Sequence, residues 1–388
     1  MYDFSKKIDR KNSNSLKWDD VKYDLPMWVA DMDFEVCPHI MDAIKKRMEC
    51  PVFGYSITPD EYFESYIDWW NRRHHVSFKK EWMIFSTGVV PTISSTVRKL
   101  TTVGEKVLIM APVYNIFYNS IINNGRFVLS SDLVYKDGVY SIDFNDLERK
   151  MSDPQVSLMI LCNPHNPVGK IWSFDELKRI GELSVKYGVV VLSDEIHCDI
   201  TSPNKEYVPY ISVSEECKMN SVTAISATKC FGVPGLQSSA VVIPNQFLRH
   251  KVNRGLNTDE CAEGNVFAYD PIISAFKHGE EWVNEMNLYV YENKKKFLEL
   301  LSDTKLKIVE SDALYLVWVD ASYYTSDAKF LVAHIAKNTG LYVTSGEEYG
   351  PCGKSFFRIN LATTRDNVIE ASRRIHLALS TFKIRNDK

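Results

Sequence analysis

The chain has 388 residues, more than one hydrophobic core normally serves, so two domains are expected. Hydrophobic residues make up 45%, charged 25% and aromatic 12%, the balance of a globular enzyme. A formal net charge of −4 argues against nucleic acid as an obligate partner, and no apolar run is long enough to cross a bilayer.

The first residues, Met1-Tyr2-Asp3-Phe4-Ser5-Lys6-Lys7, offer no apolar core for a signal peptide. Eight cysteines are scattered without a Cys-x-x-Cys pair, which predicts reduced thiols and a cytoplasmic protein. Lysine-rich patches read as solvated helix faces.

Residues 1–45 read as an arm around one apolar knot, Leu25-Pro26-Met27-Trp28-Val29-Ala30-Asp31-Met32-Asp33-Phe34. The knot is too short and too Pro-marked for a helix; it either packs on a neighbouring domain or lines a ligand. A short helix is expected over 38–48, then a turn at Phe53-Gly54-Tyr55-Ser56. A helix opening near Pro59 follows, amphipathic through Phe63, Tyr66, Ile67 and Trp70. From Trp82 strands and helices alternate. Strands are expected at 83–85, 106–110, 127–130, 158–162, 189–193, 222–225 and 240–243, with helices to about 100, at 114–122 and at 174–186. Near-continuous Val/Ile/Leu runs between helices predict a mostly parallel sheet buried on both faces, which binds ligands at the carboxyl ends of its strands. After about residue 270 a long helical stretch, 271–301, leads to strand 314–319, helix 327–338, strand 356–361 and a last helix from 366. The predicted division is an arm with part of the smaller domain (1–45), a large α/β domain (46–275) and a smaller α+β domain (276–388).

Several residues at strand ends carry chemistry. Ser226-Ala227-Thr228-Lys229 ends an apolar run, and Phe231-Gly232-Val233-Pro234-Gly235 is too rich in Gly and Pro to extend as helix or strand. An unpaired ammonium there is costly to bury, whereas an amine held neutral or as an imine is a nucleophile. Thr87-Gly88-Val89-Val90 joins a strand to a helix, where free amides and the positive dipole end favour a phosphate; a plain tight turn is the alternative. Asp194 and Glu195 end another run as helix-cap residues or as ligand-facing acids. Asn163-Pro164-His165-Asn166-Pro167-Val168-Gly169 ends a third, its prolines stiffening the backbone around Asn166. Arg358, on a strand of the smaller domain, needs an anion, either a substrate carboxylate or an internal acid.

An amine for an imine, an acid for a pyridine nitrogen, an amide for a phenolic oxygen and a phosphate cradle are the requirements of pyridoxal 5'-phosphate. The chain resembles the fold-type I, class I/II aminotransferase superfamily over nearly its whole length, and within it the MalY/PatB-type cystathionine β-lyases (C–S lyases). The carriers are Met27-Trp28-Val29-Ala30-Asp31-Met32-Asp33, the Asn163–Gly169 segment, Ser193-Asp194-Glu195-Ile196-His197 and Phe357-Arg358-Ile359-Asn360-Leu361-Ala362, spaced around Lys229.

By position the resemblance implies that Lys229 binds the cofactor as an imine and Asp194 pairs with its ring nitrogen. Asn166 would bond the ring oxygen and Tyr114 would stack on the ring. The amides of Val89 and Val90, with the Ser226 hydroxyl, would hold the phosphate, and Tyr55 would reach it from the other subunit of a homodimer. Arg358, with backbone near Val29 and Ala30, would take the substrate carboxylate. Two positions depart from the aminotransferase pattern and resemble the lyases: Gln237 replaces a phosphate-binding arginine, leaving the phosphate less neutralised, and His197 replaces a tyrosine.

The implied reaction is β-elimination from a sulfur amino acid, with Lys229 as base and Tyr114 as a helper of the leaving group. Transamination by the same site is the nearest alternative. Ser226-Ala227-Thr228-Lys229 also spells the Ser-x-x-Lys of penicillin-recognising serine enzymes, but its serine ends a strand and neither Ser-Asp-Asn nor Lys-Thr-Gly occurs. Gly350-Pro351-Cys352-Gly353-Lys354-Ser355 is no P-loop, because Glu348 stands where glycine is required. His74 and His75 are adjacent, point apart on a helix and lack an acid to complete a metal site.

Overall fold

The computed structural model describes residues 2–384. Its larger sheet has seven strands: β1 (Met83–Ser86), β2 (Lys106–Ile109), β3 (Phe127–Ser130), β4 (Val156–Cys162), β5 (Val190–Asp194), β6 (Ser221–Ile225) and β7 (Ser239–Val242). Their spatial order is β1-β7-β6-β5-β4-β2-β3, and β7 alone runs antiparallel to its neighbours. Every residue of β6 is buried, and β4 is buried apart from a partly exposed Ser157. That is why these strands lack an alternating pattern: helices cover both faces.

Among the helices that frame the sheet and its neighbouring unit are α1 (Asp60–His74), α2 (Val89–Leu100), α3 (Phe174–Tyr187), α4 (Asp270–His278) and α5 (Glu280–Leu300). Leu158 and Ile160 of β4 join the core of α2, whereas Met159 and Leu161 join that of α3. A capping box starts α3: Ser173 Oγ accepts from Glu176 N at 3.2 Å, and the Glu176 carboxylate accepts from Ser173 N at 2.8 Å. Gly188, at φ 68°, ends it.

A smaller antiparallel sheet has the order β8-β9-β11-β10, from β8 (Lys307–Ile308), β9 (Leu316–Asp320), β10 (Thr344–Ser345) and β11 (Phe356–Asn360). Helices Ala328–Thr339 and Arg365–Thr381 and the end of α5 close its core. Leu25–Pro26 pairs in parallel with Leu341–Tyr342, which ties the start of the chain to this unit.

The single helix expected over 271–301 is two, broken at Gly279. A Cβ there would meet Phe231 Cε1 at 2.4 Å and the Ala275 carbonyl at 2.5 Å, so two helix ends and an aromatic ring converge on a position that admits no side chain. Residues 51–59 form no regular turn and run as an irregular connection. The hairpin of Val134–Lys136 with Val139–Ser141 and the helices Phe144–Met151 and Gln246–Thr258 are elements that the sequence pattern does not announce. In the run Lys294-Lys295-Lys296 the second and third side chains lie at the surface beside Glu292 and Glu299. The first turns inward, its Nζ donating to Ser311 Oγ and the Ala313 carbonyl, both at 3.1 Å. Burial lowers its pKa to about 7.

His74 and His75 do point apart, since His75 is the left-handed cap of α1 at φ 57°, but His74 has an acid. Its Nε2 lies 3.0 Å from Asp199 Oδ1, which Arg73 Nε also reaches at 2.9 Å; Trp69 Nε1 donates to the same carboxylate at 3.1 Å. Cys198 completes a group of three metal-ligand types within 4.8 Å, yet the guanidinium and indole already satisfy the carboxylate. The cluster is an ion-pair lock, and Asn287 of α5 closes it on the Asp199 carbonyl at 2.7 Å. The partners hold the Asp199 pKa at about 2 against burial, which acts the other way. Asp199→Ala removes the buried acid shared by Trp69, Arg73 and His74, leaving the partly buried Arg73 only Glu280, at 3.8 Å, as an acid, and is expected to lower the unfolding free energy by about 1–3 kcal/mol in urea titrations near neutral pH. In the unaltered chain this contribution is present above the unfolded-state pKa of roughly 3.9 and is lost as pH falls through about 2. Coincident denaturation curves for the two proteins would contradict the assignment.

Candidate active site

Asp194 is the last residue of β5, in register with Cys162 of β4 and Ala224 of β6. Its carboxyl is buried and accepts one backbone N–H, that of Ile196, at 3.2 Å. Burial pushes its pKa up to about 7; the Ile196 N–H and the Lys229 charge offset this only in part. Glu195, beside it, is raised to about 7 by burial but turns the other way, to Tyr207, Ser193 and the Tyr210 amide, and is structural.

After β6 the backbone turns tightly through 226–233. Ser226 Oγ donates to the Ser238 carbonyl at 2.7 Å and accepts from Thr228 N at 3.1 Å. This turn presents the partly buried Lys229, whose Nζ donates to the Ala30 carbonyl at 2.6 Å. Burial lowers the amine's pKa to about 8; Asp31 raises it, Arg358 lowers it and Asp194 raises it. A Ser-x-x-Lys dyad needs the hydroxyl on the amine, and here each goes to a different carbonyl.

Arg358 stands on β11, whose register with β9 and β10 aims it at the larger sheet. Its Nη1 donates to Asn166 Oδ1 at 3.1 Å and its Nη2 to the Trp28 carbonyl at 2.9 Å, while its guanidinium stacks 4.7 Å from the centre of the Tyr349 ring. Among the described residues no carboxylate pairs with it, and its buried Nε has no partner. An internal acid, one of the two partners open in the sequence, is therefore absent from these contacts. Asn166 lies in the loop after β4, between cis peptide bonds at Pro164 and Pro167.

His197 is buried, its Nδ1 without a partner and its pKa pushed down by burial and by the Lys229 and Arg358 charges. Tyr114 precedes the helix Asn115–Ile122; burial raises its pKa, with Arg358 opposing and Asp194 and Cys162 adding. At the start of α2, Gly88 is the cap and no side chain bonds the first turn, so the amides at Val89 and Val90 have no side-chain cap to accept them. Gln237 has left-handed backbone, φ 53°, and is exposed.

Thus Lys229, Asp194, Asn166, Arg358, Tyr114, His197 and the Val29–Ala30 backbone converge, while Tyr55 is fully exposed on the single chain. Asn360 joins them, although the sequence pattern alone does not single it out. Its Nδ2 donates to the Val29 carbonyl at 2.7 Å and the Asp31 carbonyl at 2.8 Å. A signal exists: Asn360 follows Arg358 by two on a strand, hence on the same face. Asp31 is masked in the sequence by the apolar knot around it.

Chemically, the groups suit an anion at the α2 start, a cationic ring nitrogen against Asp194 and an electrophile at Lys229. A second carboxylate fits at Arg358.

Comparison with known proteins agrees with this geometry. The sequence profile of aminotransferase class I and II matches residues 25–375. Cystathionine β-lyase PatB of Bacillus subtilis (strain 168) is 39% identical over 387 residues, covering 97% of this chain and 100% of that one. The crystal structure of cystalysin from Treponema denticola, which contains pyridoxal 5'-phosphate, superposes with a TM-score of 0.95 at 30% identity, covering 99% of this chain and 100% of that one. The PLP-bound C–S lyase from Staphylococcus hominis gives 0.91 at 29% identity, with 98% of each chain covered. The chain belongs to the aminotransferase class I and II family.

Proposed function

We propose that this chain is a pyridoxal-phosphate-dependent carbon–sulfur β-lyase that releases a thiol or sulfide, pyruvate and ammonia from sulfur amino acids. The observation that carries it is a guanidinium without a carboxylate partner, Arg358, brought beside an amine of lowered pKa and a buried acid at the strand ends. Full-length similarity to a cystathionine β-lyase and a C–S lyase supports elimination over transamination.

Pyridoxal phosphate supplies an electron sink for negative charge on the carbon next to the amine it binds. Lys229 would hold it, and its free amine would take the substrate's α-proton; an amine with a pKa near 8 is matched to that task. Asp194 would pair with the ring nitrogen, whose proton would supply the counter-charge that its surroundings lack. Asn166 uses its Oδ1 on Arg358, which leaves Nδ2 to donate to the ring oxygen. Tyr114 would stack on the ring and help the sulfur leave, and His197 would lie near the cofactor, as it does near Lys229 and Arg358. The amides of Val89 and Val90 would hold the phosphate, without the arginine that Gln237 replaces, and Ser226 would join them on exchanging the Ser238 carbonyl for a phosphate oxygen.

Arg358, aided by the Val29 and Ala30 backbone, would take the α-carboxylate and so turn the Cα–H bond toward Lys229. Thiolate leaves Cβ, and the released aminoacrylate hydrolyses to pyruvate and ammonia.

A homodimer is part of the proposal. Tyr55 is fully exposed in a stretch where Val52, Phe53 and Ile57 are exposed too, apolar surface suited to a second copy whose phosphate site Tyr55 enters. A cytoplasmic setting fits eight unpaired cysteines. Among the described residues no helix is long and apolar enough to cross a membrane.

The purified protein with pyridoxal phosphate is expected to form pyruvate and thiol in equal amounts from cystathionine without any keto acid. Turnover that requires a keto-acid acceptor and yields no pyruvate would assign the site to transamination. Arg358→Gln removes a charge-assisted pair with the substrate, at a cost of about 3 kcal/mol, roughly 100-fold in kcat/KM and carried mainly by KM. An unchanged KM would remove Arg358 from the substrate site.

A further inference from the structure

We infer that Arg10 and Lys17 are positioning residues of the catalytic centre, acting through the backbone strap of residues 28–32; the inference rests on the reaction proposed above. Five consecutive carbonyls of this strap are engaged, from two sides. From the site, Arg358 Nη2 takes that of Trp28 at 2.9 Å, Asn360 Nδ2 that of Val29 at 2.7 Å and Lys229 Nζ that of Ala30 at 2.6 Å. The Asp31 carbonyl is shared between Asn360 Nδ2 at 2.8 Å and Lys17 Nζ at 3.0 Å, and Arg10 Nη1 takes that of Met32 at 2.9 Å. The three side chains that face the reaction and the two cations of the N-terminal arm therefore hold one short piece of chain between them.

The arm's grip is anchored by charge. Asp33 accepts from Lys17 Nζ at 2.7 Å, Trp18 Nε1 at 2.9 Å and Arg10 Nη1 at 3.0 Å, while Asp31 accepts from Arg10 Nη2 at 2.6 Å. Lys17 is completely buried and Asp33 nearly so, and two buried opposite charges, hydrogen-bonded to each other and to Asp31, Trp18 and Arg10, fix their positions tightly. The strap cannot move toward or away from Lys229 without breaking that cluster.

Electrostatics reaches the amine by the same route. The charged groups that face Lys229 are Asp31 on the strap, Arg358 on β11 and Asp194 on β5, with His197 beside it; Tyr315 lies close to Asp31. Asp31 acts on the amine more strongly than the other two, and Arg10 is its counter-ion. Arg10 thus sets both where the Ala30 carbonyl stands and how much negative charge the amine feels.

The test compares Arg10→Gln, Arg10→Lys and the unaltered full-length chain. Thermal midpoints are recorded, kcat and KM are measured on cystathionine well below them, and Lys229 is labelled with an amine acylating reagent across pH after removal of cofactor, with the peptide quantified by mass spectrometry. In the unaltered chain half-labelling falls near pH 8, the protonated amine below it being unreactive. Arg10→Gln is expected to lower kcat/KM roughly 10- to 100-fold, the effect of a small misplacement of reacting groups. It also raises the labelling midpoint, because Asp31 has lost its counter-ion, and Arg10→Lys recovers most of both. A folded Arg10→Gln protein with unchanged kcat/KM and an unchanged midpoint overturns the inference. Should Arg10→Gln fail to fold, Asp31→Asn keeps the Arg10–Asp33 and Lys17–Asp33 pairs and must lower the midpoint; a midpoint that stays put overturns the inference equally. Labelling needs no turnover, so a chain that releases no thiol from any thioether amino acid would sink the proposed reaction and leave this outcome readable.

Discussion

A carboxyl buried at the end of a central parallel strand, with one backbone N–H for company, is the constraint on which the rest of the site depends. Asp194 stays in low dielectric because β5 is flanked on both sides and covered by helices, and burial drives its pKa to about 7. Elsewhere this chain satisfies its buried acids internally. Asp199 has a guanidinium, an imidazole and an indole; Asp33 has a lysine, an arginine and an indole; Glu195 has two hydroxyls and an amide. The contrast with Asp194 points outward, to a cationic group from a ligand. Lys229, whose own amine is pushed toward neutrality in the same space, supplies the nucleophile that such a ligand requires.

Two sheets are needed to complete this arrangement. Asp194 and Lys229 lie at the carboxyl ends of adjacent strands β5 and β6, where α/β sheets present their ligands. Arg358 comes from the middle of β11 in the smaller sheet and reaches across to Asn166, which follows β4. Between the sheets runs the strap of residues 28–32, whose carbonyls take hydrogen bonds from both. A run that looks in sequence like an isolated apolar knot is in space the strap that ties the site together, its carbonyls facing Lys229, Arg358 and Asn360 and its two aspartates held by the N-terminal arm.

That difference explains what is legible in the sequence. Parallel strands announce themselves because burial on both faces suppresses polar residues, so β4, β5 and β6 lie within a residue or two of where their apolar runs put them. Lys229, Asp194, Asn166 and Arg358 stand out because each is a chemistry-bearing residue at the end of, or on, such a run. The break at Gly279 is hidden: a single glycine inside a helical pattern is commonplace, and the Phe231 ring that leaves no room for a side chain there is more than forty residues away in sequence. Lys294 reads as surface for a similar reason, since only the fold brings the Ser311 hydroxyl and the Ala313 carbonyl to its amine. The acid beside His74 belongs to the turn after β5, 125 residues on, and no local spacing reveals it. Tyr55 shows the converse limit, a residue whose expected partner lies outside its own chain.

Every role assigned at this site depends on which amine holds the cofactor, and the molecule contains its own control. Lys229 and Lys294 both have pKa values lowered by burial, to about 8 and about 7, but Lys294 is spent on structural oxygens under the smaller sheet. Borohydride reduction of the purified protein reconstituted with pyridoxal phosphate, followed by peptide mass spectrometry, reads the attachment point directly. The pyridoxyl mass is expected on the peptide carrying Lys229 and on no other. The same mass on the Lys294 peptide, or no adduct after reconstitution, would contradict the assignment.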